Sequence, residues 1–119
     1  MSDNPCREIS VFKVLPPDQL KQIFKLALAD KRRLIVGGYA DFDLQQLILF
    51  RGDGSNVIAP FSMFEPNAIC SPDFTDLDII DYGHTVRLGK YEASSRSILK
   101  ELDPEYQEYI ESNNRLDIN

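Results

Sequence analysis

Four aspartates and the only histidine of the chain are the residues whose types and spacing could support chemistry; they are Asp73, Asp76, Asp78, Asp81 and His84. Asp76 and Asp78 are two positions apart, so in a strand their carboxylates would lie on the same face. Two carboxylates on one face can bind a hard cation when further oxygen ligands join them. One hypothesis is therefore a cation-dependent enzyme that uses Asp76, Asp78 and His84.

The same spacing also has an explanation that needs no cation. Leu77 and Ile79 alternate with the aspartates, as in a strand with one face in the core and the other in water. Asp41 and Asp43 repeat the pair elsewhere, and neither stretch has the ligand spacing of a calcium-binding hand. A histidine beside a glycine is typical of an exposed turn. We therefore predict no catalytic residue, no metal site and no cofactor.

A mixture of aromatic and basic side chains follows the aspartates and forms a candidate binding surface of Tyr82, His84, Arg87 and Tyr91. Such a mixture can recognise a peptide or a nucleotide. A cross-strand aromatic pair that stabilises the sheet is the simpler explanation of the pattern. We expect any binding function to lie at this hairpin.

The composition limits the partner classes. The 119 residues include 13 basic and 19 acidic side chains, which give a net charge of −6, and 43% of the chain is hydrophobic. One domain spanning residues 1–119 is expected at this length. An acidic domain binds nucleic acid and anionic lipid poorly, because both carry negative charge. The basic run at residues 31–33 is expected to mark a helix end.

The cysteines and the first residues bear on the compartment. Cys6 and Cys70 have no partners at metal-ligand spacing, and two cysteines alone do not make a disulfide framework. Residues 1–5 lack the basic start and apolar run of a signal peptide. No stretch approaches the roughly 20 apolar residues of a membrane span. We predict a cytoplasmic protein that does not enter the membrane.

The sequence patterns predict the secondary structure that must position the candidate residues. In chain order, the first element is a strand or an ordered segment at 9–14. A helix opens at residues 16–18 (Pro-Pro-Asp), because proline suits the first helical turn and an acidic residue suits its positive end. Its apolar stripe follows the period of an α-helix and consists of Leu20, Ile23, Phe24, Ala27 and Leu28. Residues 33–36 are predicted to form a strand, or alternatively the helix end, closed by a turn at Gly37 and Gly38.

Two hairpins follow. Residues 44–50 have the continuous apolar pattern of a strand buried on both faces, and the chain returns at 56–61 after a glycine-rich turn. Residues 60–74 are expected to form a packed loop. Residues 77–82 and 85–88 are predicted to form the second hairpin around Gly83 and His84.

The last quarter is predicted to be helical. A first helix is capped by Ser94 or Ser95, and a second begins at Asp103 with an inner face of Tyr106, Tyr109 and Ile110. The fold class is α+β: a small antiparallel sheet of two hairpins, covered by an N-terminal helix and one or two C-terminal helices. We expect residues 1–8 and 115–119 to be flexible.

About half the chain resembles the bacterial family called domain of unknown function 2442. The resemblance rests on residues 49–55 (Leu-Phe-Arg-Gly-Asp-Gly-Ser), 71–74 (Ser-Pro-Asp-Phe) and 102–106 (Leu-Asp-Pro-Glu-Tyr). It implies a small α+β domain of the kind sometimes fused to a helix-turn-helix and often encoded beside toxin–antitoxin components. Residues 86–89 stand where that family often has Trp-Pro, the N-terminal helix is extra, and no functional residue carries over.

Three functions are compatible with these patterns. The leading hypothesis is a non-enzymatic binding or assembly module that presents a sheet edge or the C-terminal hairpin to a protein partner or to its own copy. The second is an antitoxin-like or transcription-associated regulator, which only the resemblance implies. The third is the cation-dependent enzyme described above.

Overall fold

The computed structural model describes residues 12–104. In chain order the described elements are β1 (Lys13–Val14), α1 (Pro17–Phe24), α2 (Leu28–Lys31), β2 (Ile35–Asp41), β3 (Gln46–Arg51), β4 (Asn56–Pro60), a 3₁₀ turn (Phe61–Met63), β5 (Leu77–Ile80), a second 3₁₀ turn (Asp81–Gly83), β6 (Thr85–Leu88), β7 (Tyr91–Ser94) and α3 (Ser95–Leu102). The predicted α+β class is confirmed.

The strands form two antiparallel sheets instead of the single predicted one. The four-stranded sheet has the order β1-β2-β3-β4, and the three-stranded sheet has the order β5-β6-β7. The connection between them, residues 61–76, contains no strand. The two sheets and the helices share one apolar cluster: Leu15, Ile23, Leu34, Ile35, Ala40, Leu47, Leu49, Ala59, Phe64, Leu77, Ile79, Val86, Leu88 and Ile98.

The N-terminal helix is shorter than its apolar stripe predicts. It starts at Pro17, within the predicted opening at residues 16–18, but ends at Phe24, and Ala27 is extended before the separate helix α2. Ile23 is buried, whereas Leu28 is 65% exposed. The break lets the carbonyl of Lys31, at the end of α2, accept a hydrogen bond from the backbone of Gly52 at 3.1 Å. Helix α2 ends at Lys31, so the basic run at 31–33 begins at a helix end, as predicted.

Gly37 and Gly38 do not form the predicted turn, because they lie in the middle of β2. A Cβ on Gly37 would stand 2.8 Å from the Lys13 carbonyl oxygen, and one on Gly38 would stand 2.6 Å from that of Ile48. Neighbouring strands approach too closely here for any side chain. The glycines therefore allow β2 to pair on both sides.

The first predicted hairpin is confirmed, since Phe50 pairs with Asn56 across the turn between β3 and β4. The second is more elaborate than predicted. β5 ends at Ile80, and the following residues Asp81, Tyr82 and Gly83 all have positive φ, at 57°, 53° and 84°. This 3₁₀ turn replaces the expected two-residue connection.

The sequence patterns miss β7, which pairs with β6 and leads directly into α3. The predicted cap of α3 is confirmed, because Ser94 Oγ accepts a hydrogen bond from the backbone of Ser97 at 3.0 Å. The predicted strand residues 9–11, the second C-terminal helix after Pro104 and the predicted flexible ends lie outside the described residues. No helix within residues 12–104 is long and apolar enough to cross a membrane.

Candidate functional site

The predicted binding surface is not assembled as one patch. Arg87 lies on the outer face of the three-stranded sheet and forms an ion pair with Asp78 at 3.0 Å across the β5–β6 ladder. Tyr91 pairs with Leu88, which places it on the opposite, inner face, where it packs against the core. Arg87 and Tyr91 therefore point to opposite faces of the sheet, and the structure does not bring these two predicted residues together.

Tyr82 and His84 lie together at the β5–β6 turn. Tyr82 adopts a left-handed conformation rare for a bulky residue, and its N–H donates to Gln19 Oε1 on α1 at 3.1 Å. Gly83 is held against β2, since a Cβ there would meet the Ile35 carbonyl oxygen at 2.6 Å. His84 is exposed, and its carbonyl accepts from the backbone of Ser95 at 2.8 Å. In both hydrogen bonds the group supplied by the turn is a backbone group: the N–H of Tyr82 in one and the carbonyl of His84 in the other.

The candidate cation ligands are separated. Asp76 precedes β5 and His84 follows its far end, so about 10 Å of strand lies between them. Asp78 is committed to Arg87 at 3.0 Å. Asp41 is buried and accepts from the backbone of Asp43 at 3.1 Å. Within residues 12–104, no group of three His, Cys, Asp or Glu side chains could hold a metal ion.

Two aspartates in turns have lowered pKa values. Burial raises the pKa of Asp53, but hydrogen bonds from Ser55 and the charges of Arg51 and Arg32 outweigh it and hold that pKa below its usual 3.8. Ser55 Oγ donates to Asp53 Oδ1 at 2.6 Å. At Asp73, hydrogen bonds from Thr75 likewise lower the carboxyl pKa. Hydrogen bonds within the two turns therefore account for the lowered pKa values of Asp53 and Asp73 without a ligand.

The outer surface of the four-stranded sheet carries a contiguous group of apolar side chains. We call it the outer apolar face; its side chains are Phe12, Val14, Tyr39, Ile48, Phe50 and Ile58. The rings of Phe12, Tyr39 and Phe50 contact one another, with centroids 5.6–6.5 Å apart. Phe12, Val14 and Ile58 are 50–53% exposed. Antiparallel sheets usually turn a polar face to water, so this one is unusual.

A groove of about 250 Å³ lies beside β7. Phe64, after the first 3₁₀ turn, and Ile98 of α3 contribute an apolar base, while Glu92 and Glu101 supply carboxylates. Of the predicted surface, Tyr91 lines this groove. The sequence patterns do not reveal the groove, because they do not reveal β7.

The pattern that could have revealed the outer apolar face is present in the sequence. The apolar run at 44–50 predicts a strand buried on both faces, and Leu47, Ile48 and Leu49 are indeed all buried. Leu47 and Leu49 face the shared core, whereas Ile48 faces the other side. A strand that is apolar on both sides requires a second apolar layer, which the sequence pattern alone does not locate.

Comparison with family models, curated proteins and solved structures gives no match to this chain. The resemblance to domain of unknown function 2442 therefore stays a prediction, and only the geometry bears on function.

Proposed function

We propose that this protein is a non-enzymatic assembly module that associates with a second copy of itself through the outer apolar face. The observation that carries the proposal is the contact of Phe12, Tyr39 and Phe50 on a sheet surface where Phe12, Val14 and Ile58 are 50–53% exposed. Contiguous apolar patches on soluble proteins mark interaction sites more often than isolated apolar residues do.

The chemistry of the face supports an identical partner. None of its six side chains is charged, so two copies can approach there despite the net charge of −6 on each chain. A two-fold contact joins the same patch on both subunits and must be self-complementary. Two apolar antiparallel sheets meet this requirement, because sheets pack face to face with interdigitating side chains.

The size of the face sets the expected strength. Four strands about 4.8 Å apart and five residues of about 3.3 Å each give a footprint of roughly 300 Å². A stable interface buries about 800 Å² per partner. The association should therefore be weak and reversible, with a dissociation constant in the micromolar range or above. The proposal retains the cytoplasm as the compartment, with which the free thiol of Cys70 agrees.

Sedimentation over a range of concentrations tests the proposal with two matched variants. Ile58→Thr removes an apolar side chain from the face, and Ile69→Thr makes the same change at a residue that is 94% exposed elsewhere. Ile58 occurs twice in a symmetric dimer, so a loss of about 1 kcal/mol per copy should weaken the dimer about thirtyfold. Ile69→Thr should leave it unchanged. A wild-type chain that stays monomeric at about 1 mM, or equal effects of the two variants, would contradict the proposal.

A further inference from the structure

The groove beside β7 borders the open edge of the three-stranded sheet. In that sheet β7 pairs with β6 alone. Ser95 donates its N–H to the His84 carbonyl at 2.8 Å, one step beyond the last pair of the β6–β7 ladder. Hydrogen-bonded pairs alternate in an antiparallel ladder, so Glu92 turns its N–H and C=O away from β6. Within residues 12–104 these two groups have no other backbone partner.

An open edge of this kind is a template for a further strand, because its backbone groups repeat at the spacing that an extended chain needs. The groove provides the space beside it. Its volume of about 250 Å³ is below the roughly 300–1,000 Å³ of small-molecule sites. The dimensions therefore suit one or two side chains of a peptide better than a cofactor.

The walls of the groove indicate which side chains would fit. On the inner side, Ala93 of β7 faces the core, the buried side chains of Phe64 and Ile98 form the base of the groove, and the partly buried Met63 and Tyr91 form its apolar walls. The charged residues that line the groove are Glu92 and Glu101, both acidic. Neither forms an ion pair within the described part of the chain.

We propose that the groove binds an extended segment of a partner protein, which pairs with β7 as a fourth strand and alternates apolar and basic residues. Side chains alternate between the two faces of a strand. The apolar side chains of the segment would lie on Met63 and Tyr91, which line the groove and are only partly buried, and a lysine or arginine would lie on the outer side opposite Glu92. This site is separate from the outer apolar face and does not depend on self-association.

Three peptides test the proposal on the full chain. They are acetyl-Val-Lys-Val-Lys-Val-amide, its glutamate counterpart, and the lysine peptide with alternate backbone nitrogens methylated so that it cannot pair as a strand. Binding is measured by titration of the amide NMR signals at low salt. We expect the lysine peptide alone to bind, with its largest shifts at Glu92 and Ser94, and added salt should weaken it because the carboxylates become screened.

Charge reversal provides the protein-side control. Glu92→Lys should weaken binding of the lysine peptide at least about tenfold. Glu65→Lys, which makes the same change at an exposed residue that does not line the groove, should change it less than about twofold. Circular dichroism verifies that both variants fold, and the methylated peptide tests strand pairing on the wild-type chain even if Glu92→Lys does not fold. Equal binding of the lysine and glutamate peptides, undiminished binding after methylation, or no binding at about 1 mM would overturn the proposal.

Discussion

Arg51, at the end of β3, and Asp103, just after α3, form an ion pair with 2.9 Å between Nη1 and Oδ2, and their side chains are only 6% and 11% exposed. Arg51 Nε also donates to the carbonyl of Arg32 at 2.7 Å. One guanidinium therefore joins the end of β3, the segment after α2 and the end of α3. This is the most buried ion pair described in the structure.

Removing Asp103, the acidic partner of Arg51, should reduce the stability of the fold substantially. Asp103→Ala removes the carboxylate in direct contact with the buried Arg51 and leaves, among the described residues, only the longer-range attraction of Asp53, so we expect the free energy of unfolding to fall by about 3–5 kcal/mol in urea titrations. Asp78→Ala is the matched control, because the Asp78–Arg87 pair has a similar distance of 3.0 Å but side chains about 40% exposed. It should cost less than about 1 kcal/mol. Equal losses would show that burial does not distinguish the two pairs.

Gly38 should tolerate no side chain. In Gly38→Ala, the new methyl group would stand 2.6 Å from the Ile48 carbonyl oxygen and 2.9 Å from Leu49 Cδ2, so β2 and β3 must separate. Urea unfolding should show a loss of about 1–3 kcal/mol. Gly54→Asn is the control, since its Cβ meets nothing within 4 Å and asparagine tolerates the positive φ of 92°. A smaller loss at Gly38 than at Gly54 would contradict the close contact of the strands.

The pKa of Asp53 should depend on Ser55. Ser55→Ala removes the hydroxyl that donates to Asp53 Oδ1, so the carboxyl pKa measured by NMR titration should rise toward 3.8. Thr75→Ala should instead raise the pKa of Asp73, which Thr75 lowers. Each variant is thus the control for the other, and a shift of both carboxyls by one variant would argue against local hydrogen bonding.

The same carboxylate should make stability depend on pH. The pKa of Asp53 is lower in the folded chain than the usual 3.8. Its contribution is therefore present above about pH 3.8 and disappears as the pH falls through the lower folded pKa. The stability difference between wild type and Asp53→Asn should be larger at neutral pH than in strong acid. A difference that grows on acidification would mean that the sign of the pKa shift is wrong.

The broken helix gives a further prediction. Ile23→Ala removes a side chain that is 2% exposed and should cost about 2–5 kcal/mol by urea unfolding. Leu28→Ala, which belongs to the same sequence stripe, should cost less than about 0.5 kcal/mol because Leu28 is 65% exposed. Similar losses at both positions would indicate a continuous helix in solution.

This contrast shows where sequence reasoning succeeds and where it does not. Local signals, such as the proline that starts α1 and the serine that caps α3, act through neighbouring residues and predict both features correctly. Leu28 fits the helical period equally well, but its burial depends on whether a distant element lies opposite it. The rest of the fold buries Ile23 and leaves Leu28 exposed, and no periodicity within the helix reports which of the two has a packing partner.

Gly37 and Gly38 show the same limit in another form. A glycine pair is typical of a turn when only its neighbours are considered. Here the residues are glycine because two flanking strands, β1 and β3, lie too close for a side chain. This limit matters most for the candidate site. Tyr91 lines the groove because it lies on β7, and a strand of only four residues next to a helix cap is too short to show a clear alternating pattern in the sequence.

The shared core has a consequence for dividing the chain. The inner faces of the two sheets contribute to one apolar cluster, and the connection at residues 65–72 lies between them along the chain without a strand or helix. Cleavage of the chain in this loop would yield two fragments. Each would contain one sheet whose apolar inner face is no longer covered by the other sheet. Neither fragment should adopt the native structure alone, but mixing the two should restore it. The loop is therefore a suitable site for splitting the protein into two complementing fragments, in which folding of one detects the other.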